Sequence, residues 1–286
     1  MIKFFNSLSI AFVLLLLFVG CKPKSLEIDI PEATPKIVVN SYAADGLIVL
    51  FLTKSFTPLA DTADANFIKE LGISGADAKI IYGSSVFDFI EIPPDSLGIK
   101  GVYLAEVATF GANQEIKLEV SADGFDRVTA TTNLLARVEE FDAEAIRFPF
   151  DTAYATVFYT FGDVNPNQHN YYALGISGGE EEDLFKGIDT LRKLNMSKFV
   201  LFDELEFPYS TIDGAVNILA EKNDTLTIGL SHISKEYYEY LQVFQKGGSF
   251  FSSITKEPIN YPTNVIGGYG FFNAYLPNIH VLAIEE

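Results

Sequence analysis

Short runs of β-branched and aromatic residues, each broken by Gly, Pro, Asn or Asp, recur from residue 36 onward, and they constrain the fold of this chain more than any other feature. Residues 36–42 and 47–53 flank Asp45 and Gly46, a turn dipeptide, and so predict a β-hairpin. Further runs at 78–82, 86–92, 102–107, 115–120 and 127–131 are too short and too regularly punctuated for a parallel sheet with crossover helices. They predict a β-sandwich of immunoglobulin-like type over residues 36–133. The hallmarks of antibody domains are missing, because Trp is absent and Cys21 is the only cysteine. The prediction is therefore one of architecture.

A second β-rich domain is expected over residues 134–286. Residues 137–146 and 154–161 read as its opening strands, the cluster from Gly162 to Asn167 as a turn, and 171–176 as the returning strand. Residues 198–202 and 225–230 add two more. One helix is predicted near 234–246: Ser234 can cap it, Glu236 falls in its first turn, and Tyr237, Leu241 and Phe244 recur at helical spacing before Gly247 and Gly248. The runs 265–275 and 279–284 are expected to close the second domain. The fold class is thus all-β, two sandwich-like domains with one packed helix.

The N-terminal stretch gives an address. Lys3 precedes the apolar residues 10–18, and Val19, Gly20 and Cys21 follow, which is the pattern of a secretory signal (residues 1–20) ending at a cysteine fit for lipidation. The apolar run is too short for a stable membrane span. Cys21 has no second cysteine to pair with, so acylation at a mature N-terminus is its economical use, with residues 21–35 as a lipidated tether. The chain carries a net charge of −18, and removing residues 1–20, which hold Lys3 and no acid, makes it −19. Such a protein is repelled by nucleic acid and by anionic lipid surfaces. With 25 Phe and 14 Tyr, it nevertheless has the apolar surface to build cores, so the acidity does not signal disorder.

No catalytic constellation emerges. His169, His232 and His280 are not spaced as paired metal ligands, and each reads better as a structural residue. The acids at 180–183, with Asp203, Glu204 and Glu206, lack the alternation and glycine of a calcium loop and read as solvated. Gly267, Gly268 and Gly270 lack the lysine and helix of a phosphate cradle, and are better explained as room for close backbone approach in a bent strand. No catalytic residue, metal ligand or cofactor is assigned.

Residues 232–241 (His-Ile-Ser-Lys-Glu-Tyr-Tyr-Glu-Tyr-Leu), Glu257 with Pro258, and 263–272 (Thr-Asn-Val-Ile-Gly-Gly-Tyr-Gly-Phe-Phe) together resemble a known family, as do residues 36–40, 50–55, 74–78 and 170–174. The likeness is to the Bacteroidota lipoproteins of domain-of-unknown-function family forty-two forty-nine, and it spans nearly the whole mature chain. Tyr269 stands where that family more often has an aliphatic residue. The resemblance implies an outer-membrane lipoprotein encoded beside a TonB-dependent receptor. It carries over no catalytic residue. Lys22 and Lys24 precede the first acid, Glu27, whereas surface display goes with acids after the lipidated cysteine, so the periplasmic and extracellular faces both stay open.

Five sites also resemble the Asp-Ser/Thr-apolar acceptor pattern of O-glycosylation in those bacteria: Thr62, Ser96, Thr152, Thr190 and Thr225, each after an aspartate. The same dipeptides favour turns. The functional expectation is a non-enzymatic, lipid-anchored outer-membrane protein that binds a partner, a TonB-dependent β-barrel receptor, with Tyr237, Tyr238, Tyr240 and Tyr269 as candidate contacts. The alternative is a lipoprotein that captures a glycan or peptide, which calls for a concave, partly exposed tyrosine cluster.

Overall fold

The structure, a computed structural model, describes residues 34–44, 46–56, 70–107, 111–148, 154–165, 167–178, 198–207, 210–220, 224–247 and 262–284. Residues Thr34–Glu286 form one compact unit. It contains two β-sandwiches with separate hydrophobic cores, joined by a short linker and laced together by the C-terminal strands.

The first sandwich begins with β1 (Ile37–Ala44) and β2 (Leu47–Lys54), paired antiparallel from Ile37 opposite Lys54 to Ala44 opposite Leu47. Gly46, at φ 83°, makes the turn between them. Next come β3 (Asp77–Tyr82), β4 (Ser85–Asp88), β5 (Ile90–Glu91), one helical turn at Pro94–Leu97, β6 (Val102–Glu106), β7 (Gln114–Ser121) and β8 (Val128–Leu134). The run 86–92, expected as one strand, divides at Phe89. Its backbone N–H bonds to Ala78 O at 2.9 Å and its ring is buried, while β4 stays in one sheet and β5 joins the other. Alternate residues of the two sheets face each other: Ile37, Val39, Leu50 and Leu52 meet Ile80, Ile116, Leu118 and Val128. Each fully buried side chain of this size contributes about 1.5–3 kcal/mol relative to exposure.

The second sandwich packs β9 (Phe141–Ile146), β10 (Tyr154–Gly162) and β13 (Thr211–Leu219) against β11 (Tyr171–Ser177), β12 (Lys198–Asp203), β14 (Thr225–Ile233) and β17 (Asn278–Ala283). Its core holds Val157, Phe161, Tyr172, Leu174, Phe202, Ile212 and Leu230. Strand β13 carries no strong β signal in the sequence, since Asp213, Gly214 and Asn217 interrupt it. Gly214 is there for space, because a Cβ at that position would collide with the Tyr159 hydroxyl.

The C-terminal stretch corrects the sequence reading. Residues 265–275 do not close the second core: β15 (Val265–Ile266) pairs with β8, and β16 (Tyr269–Phe271) runs parallel to β1, so both complete the first sandwich. Only β17 returns to the second. The glycines make this possible, as a Cβ at Gly270 would overlap the Val39 carbonyl oxygen, and its φ of +90° is itself a glycine conformation. Asn264 fastens the turn: its side-chain carbonyl accepts from Phe272 N at 2.8 Å, and its amide donates to Phe272 O at 2.7 Å and to Thr131 O at 3.0 Å. Phe272 and Ala274 then fill the first core.

Candidate functional site

Helix α1 (Lys235–Gly247) follows β14 directly. Ser234 caps it, accepting the Tyr237 N–H on its hydroxyl at 3.2 Å and the Tyr238 N–H on its carbonyl at 2.9 Å. The helix lies over β11 and β12 and turns its tyrosines inward: Tyr237, Tyr238 and Tyr240 are 4%, 8% and 8% exposed. Three of the four candidate contact residues are therefore packing residues of the described fold. The spacing that marks an aromatic helix face is the same whether the face meets a partner or the protein's own sheet.

Tyr237 stacks on Tyr240 with ring centroids 5.9 Å apart, and both touch Phe271 of β16, at 5.1 and 5.3 Å. Burial, reinforced by neighbouring phenols, pushes the Tyr237 and Tyr42 hydroxyls well above the ordinary tyrosine range, and burial alone does the same for Tyr275. This tyrosine cluster is a neutral joint between the helix and the first sandwich. Tyr269 is separate from it, half-buried beneath Lys36, whose Nζ lies 5.4 Å from the ring centroid.

A different group of side chains gathers where β11 begins and β12 ends, because the register sets Tyr171 opposite Asp203. Asn170 is buried, and its amide nitrogen lies 2.8–3.0 Å from four oxygens: Asp163 Oδ1, the carbonyls of Asn165 and Gln168, and Glu204 Oε2. Two amide hydrogens shared among these acceptors tie the β10–β11 loop to the end of β12. Tyr172 donates to the same Asp163 oxygen at 2.5 Å. Burial first, then that carboxylate, holds its phenol above the usual range.

Asp203 caps the 3-10 turn Glu204–Glu206, accepting from Leu205 N at 3.0 Å. The Glu204 N–H reaches Asn170 O at 3.3 Å. Fixed from both sides, the turn presents Leu205 at 74% exposure between two glutamates. Beside it, His169 Nε2 lies 2.6 Å from Asp203 Oδ1, and His169 Nδ1 lies 3.3 Å from the Tyr171 hydroxyl. The rings of His169, Tyr171 and Tyr238 form a row, with centroids 4.4 and 4.8 Å apart.

Carboxylate, imidazole and phenol in sequence can pass a proton. Their surroundings oppose anionic chemistry, however. Burial raises the Tyr171 phenol, and Asp203, Glu239, Glu204 and Glu236 raise it further, so it stays protonated and any developing negative charge is disfavoured. The field favours a cationic neighbour. Among the described residues no group of three or more His, Cys, Asp or Glu is placed to hold a metal ion.

Sequence spacing gave no notice of this patch. His169 and Asp203 lie 34 positions apart, and only strand pairing brings them together. Of the modification candidates, Ser96 lies in the helical turn Pro94–Leu97 and Thr225 opens β14 opposite Ala283, both exposed. Cys21, Thr62, Thr152 and Thr190 fall outside the described residues.

The family model described as Domain of unknown function (DUF4249) matches residues 24–278. No curated protein matches the sequence. Among solved structures, the chain is similar to a crystal structure of chicken CNTN1 FN1-FN3 domains, with 9% identity and a TM-score of 0.22. The match covers 72% of this chain and 62% of that one, so the chain spans less than two thirds of that relative.

Proposed function

The chain belongs to the DUF4249 family, whose description states no activity, and from its own residues we propose that it is a non-enzymatic outer-membrane lipoprotein, a binding subunit accessory to a TonB-dependent β-barrel receptor or another envelope complex. The signal-like residues 1–20 and the single Cys21 support the lipid anchor. Confinement to a membrane raises the effective concentration of a weakly binding partner without added contacts.

The observation that carries the binding role is the fixed turn Glu204–Glu206. An exposed leucine on a turn held in place by Asp203 and Asn170 contributes apolar contact at little ordering cost. The acids around it fit a partner with basic residues about an apolar socket. Ligand capture would draw on an exposed tyrosine platform, and the burial of Tyr237, Tyr238 and Tyr240 weighs against it.

Affinity purification of the full-length tagged protein from its own envelope in mild detergent, with co-purifying proteins identified by mass spectrometry, tests this reading. A stoichiometric β-barrel that is lost with Leu205→Lys and depleted with Cys21→Ala is the expected result. Recovery of the protein alone would overturn it and direct the search to glycans and peptides.

A further inference from the structure

Strand β13 is an edge strand, paired on one side. Its nine residues follow β10 without a break, from Thr211 opposite Gly162 to Leu219 opposite Tyr154, and among the described residues no strand pairs with its other side. The remaining edges are short or covered. Strands β4, β5, β15 and β16 have two to four residues each. Phe141 of β9 meets His280 of β17, with ring centroids 4.9 Å apart, and α1 lies over β12, where Gln245 donates to Phe199 O at 2.9 Å. Residues 211–219 contain no Lys, Arg or Pro, and their register with β10 has no bulge, so the devices that keep a long edge from pairing are missing here.

The strand is close to symmetric about Ala215. Thr211 and Leu219 at its ends are exposed, Ile212 and Ile218 are buried, Asp213 and Asn217 are exposed, and Gly214 and Val216 are half-buried on either side of the exposed centre. An added antiparallel strand must put like faces together, because residues directly opposite each other point to the same side of a sheet. A second copy turned about a two-fold axis at Ala215 meets this condition along the whole strand: Ile212 faces Ile218 of the other copy, and Ala215 faces itself. Any shift of register leaves residues at both ends unpaired. Charge agrees with this register. Asp213 is the only charged residue of the strand, and the two-fold axis sets Asn217, rather than a second carboxylate, opposite it. Across the sheet, the row through Asp213 continues to Thr160 and Asp142, and the row through Asn217 to Thr156 and Ile146. Each acidic row therefore meets a neutral one.

We propose that β13 is a self-pairing edge: two copies of this chain join antiparallel through residues 211–219, with Ala215 on the two-fold axis. Their three-stranded sheets then become one continuous sheet in the order β9-β10-β13-β13-β10-β9. The joint makes about eight to ten backbone hydrogen bonds. It draws on neither Leu205 nor the lipid anchor, and so goes beyond the partner contact proposed above. The net charge of −18 on each copy opposes the approach. Salt screens that repulsion, over about 8 Å at about 0.15 M ionic strength. The dimer therefore tightens as salt is added, whereas a basic strand taken up by the same edge would bind more weakly.

Disulfide trapping tests the register. Cys21 is the only cysteine, so in the full chain with Cys21→Ser a single introduced thiol reports which residues face each other. Facing residues of an antiparallel pair have Cα atoms about 4.5–5.5 Å apart, within disulfide reach. Ala215→Cys alone is expected to give a covalent dimer under mild oxidation. Asp213→Cys alone is expected to link about tenfold less, because its counterpart lies four residues, or about 14 Å, along the other strand. Mixed with Asn217→Cys, it is expected to link readily. Ser96→Cys, exposed on the first sandwich, gives the rate of chance collision. Equilibrium sedimentation supplies a second measurement, free of oxidant. The unsubstituted chain is expected to dimerise at about 0.1 mM, where complexes of micromolar affinity are saturated, and more tightly in added salt. Ala215→Lys, which opposes two ammonium groups at the axis, is expected to stay monomeric. Linking of Ala215→Cys no faster than Ser96→Cys, equal linking of Asp213→Cys and Ala215→Cys, a monomeric wild type, or a dimer that weakens with salt would each overturn the proposal.

Discussion

The Tyr240 hydroxyl donates to Asn40 Oδ1 at 2.9 Å, although 200 positions separate the two residues and both are buried. The bond joins helix α1 to β1 and so one sandwich to the other. Tyr240→Phe keeps the ring and leaves the Asn40 acceptor unsatisfied, which is expected to cost about 1–3 kcal/mol. Urea unfolding checks this. A lower midpoint with an unchanged slope is the expected outcome, since the surface exposed on unfolding stays the same.

The first sandwich is incomplete without the far C-terminal strands. A fragment of residues 34–134 lacks β15, β16 and Phe272, which leaves β1 and β8 each short of a neighbour and opens the core. It is expected to show broad, poorly dispersed amide resonances. Supplying residues 262–276 as a linked or separate peptide should restore dispersion, and a well-folded fragment without them would contradict the topology.

Asn170 holds two loops with one amide. Asn170→Ala removes a donor placed among four oxygens and is expected to destabilise the chain by about 1–3 kcal/mol, because the half-buried Asp163 and Glu204 carboxylates lose a hydrogen-bond donor. The turn bearing Leu205 loses one of its ties with it. Limited proteolysis should cut faster near 163–170 and 204–207 in this variant, with β1–β2 cut at the wild-type rate.

Alkaline pH attacks the fold through its buried phenols. Tyr103 donates to Ile73 O at 2.7 Å and accepts from Ala76 N at 3.0 Å, and burial, outweighing the Ala76 contact, pushes its pKa up to about 12. An acid whose pKa is raised in the fold gives its full contribution below the unfolded value of about 10 and loses it as the pH rises through the folded one. Stability should therefore fall between about pH 10 and about 12. Tyr103→Phe should reduce that slope, as measured by urea midpoints across the range.

What could be read in the sequence was local. The hairpin at Gly46 and the cap at Ser234 depend on residues adjacent in the chain, and turn and cap chemistry point to them directly. The destination of 265–275 was not legible, because an alternating strand looks the same whichever sheet receives it, although the glycines that permit its approach to β1 were visible as such. The helix tyrosines illustrate a second limit: their spacing fixes which side of the helix they share and says nothing of what covers it. His169 and Asp203, harmless when read singly, become neighbours through the register of β11 and β12.

The parallel placement of β16 beside β1 also has a bearing on biogenesis. A chain made from its N-terminus presents β1 and β8 long before residues 265–272 exist to cover them. Until then the first sandwich has open edges of the kind that recruit other strands. Closure of the earliest-made sheet thus depends on the latest-made strands, and an interval of exposure is built into every synthesis of this protein.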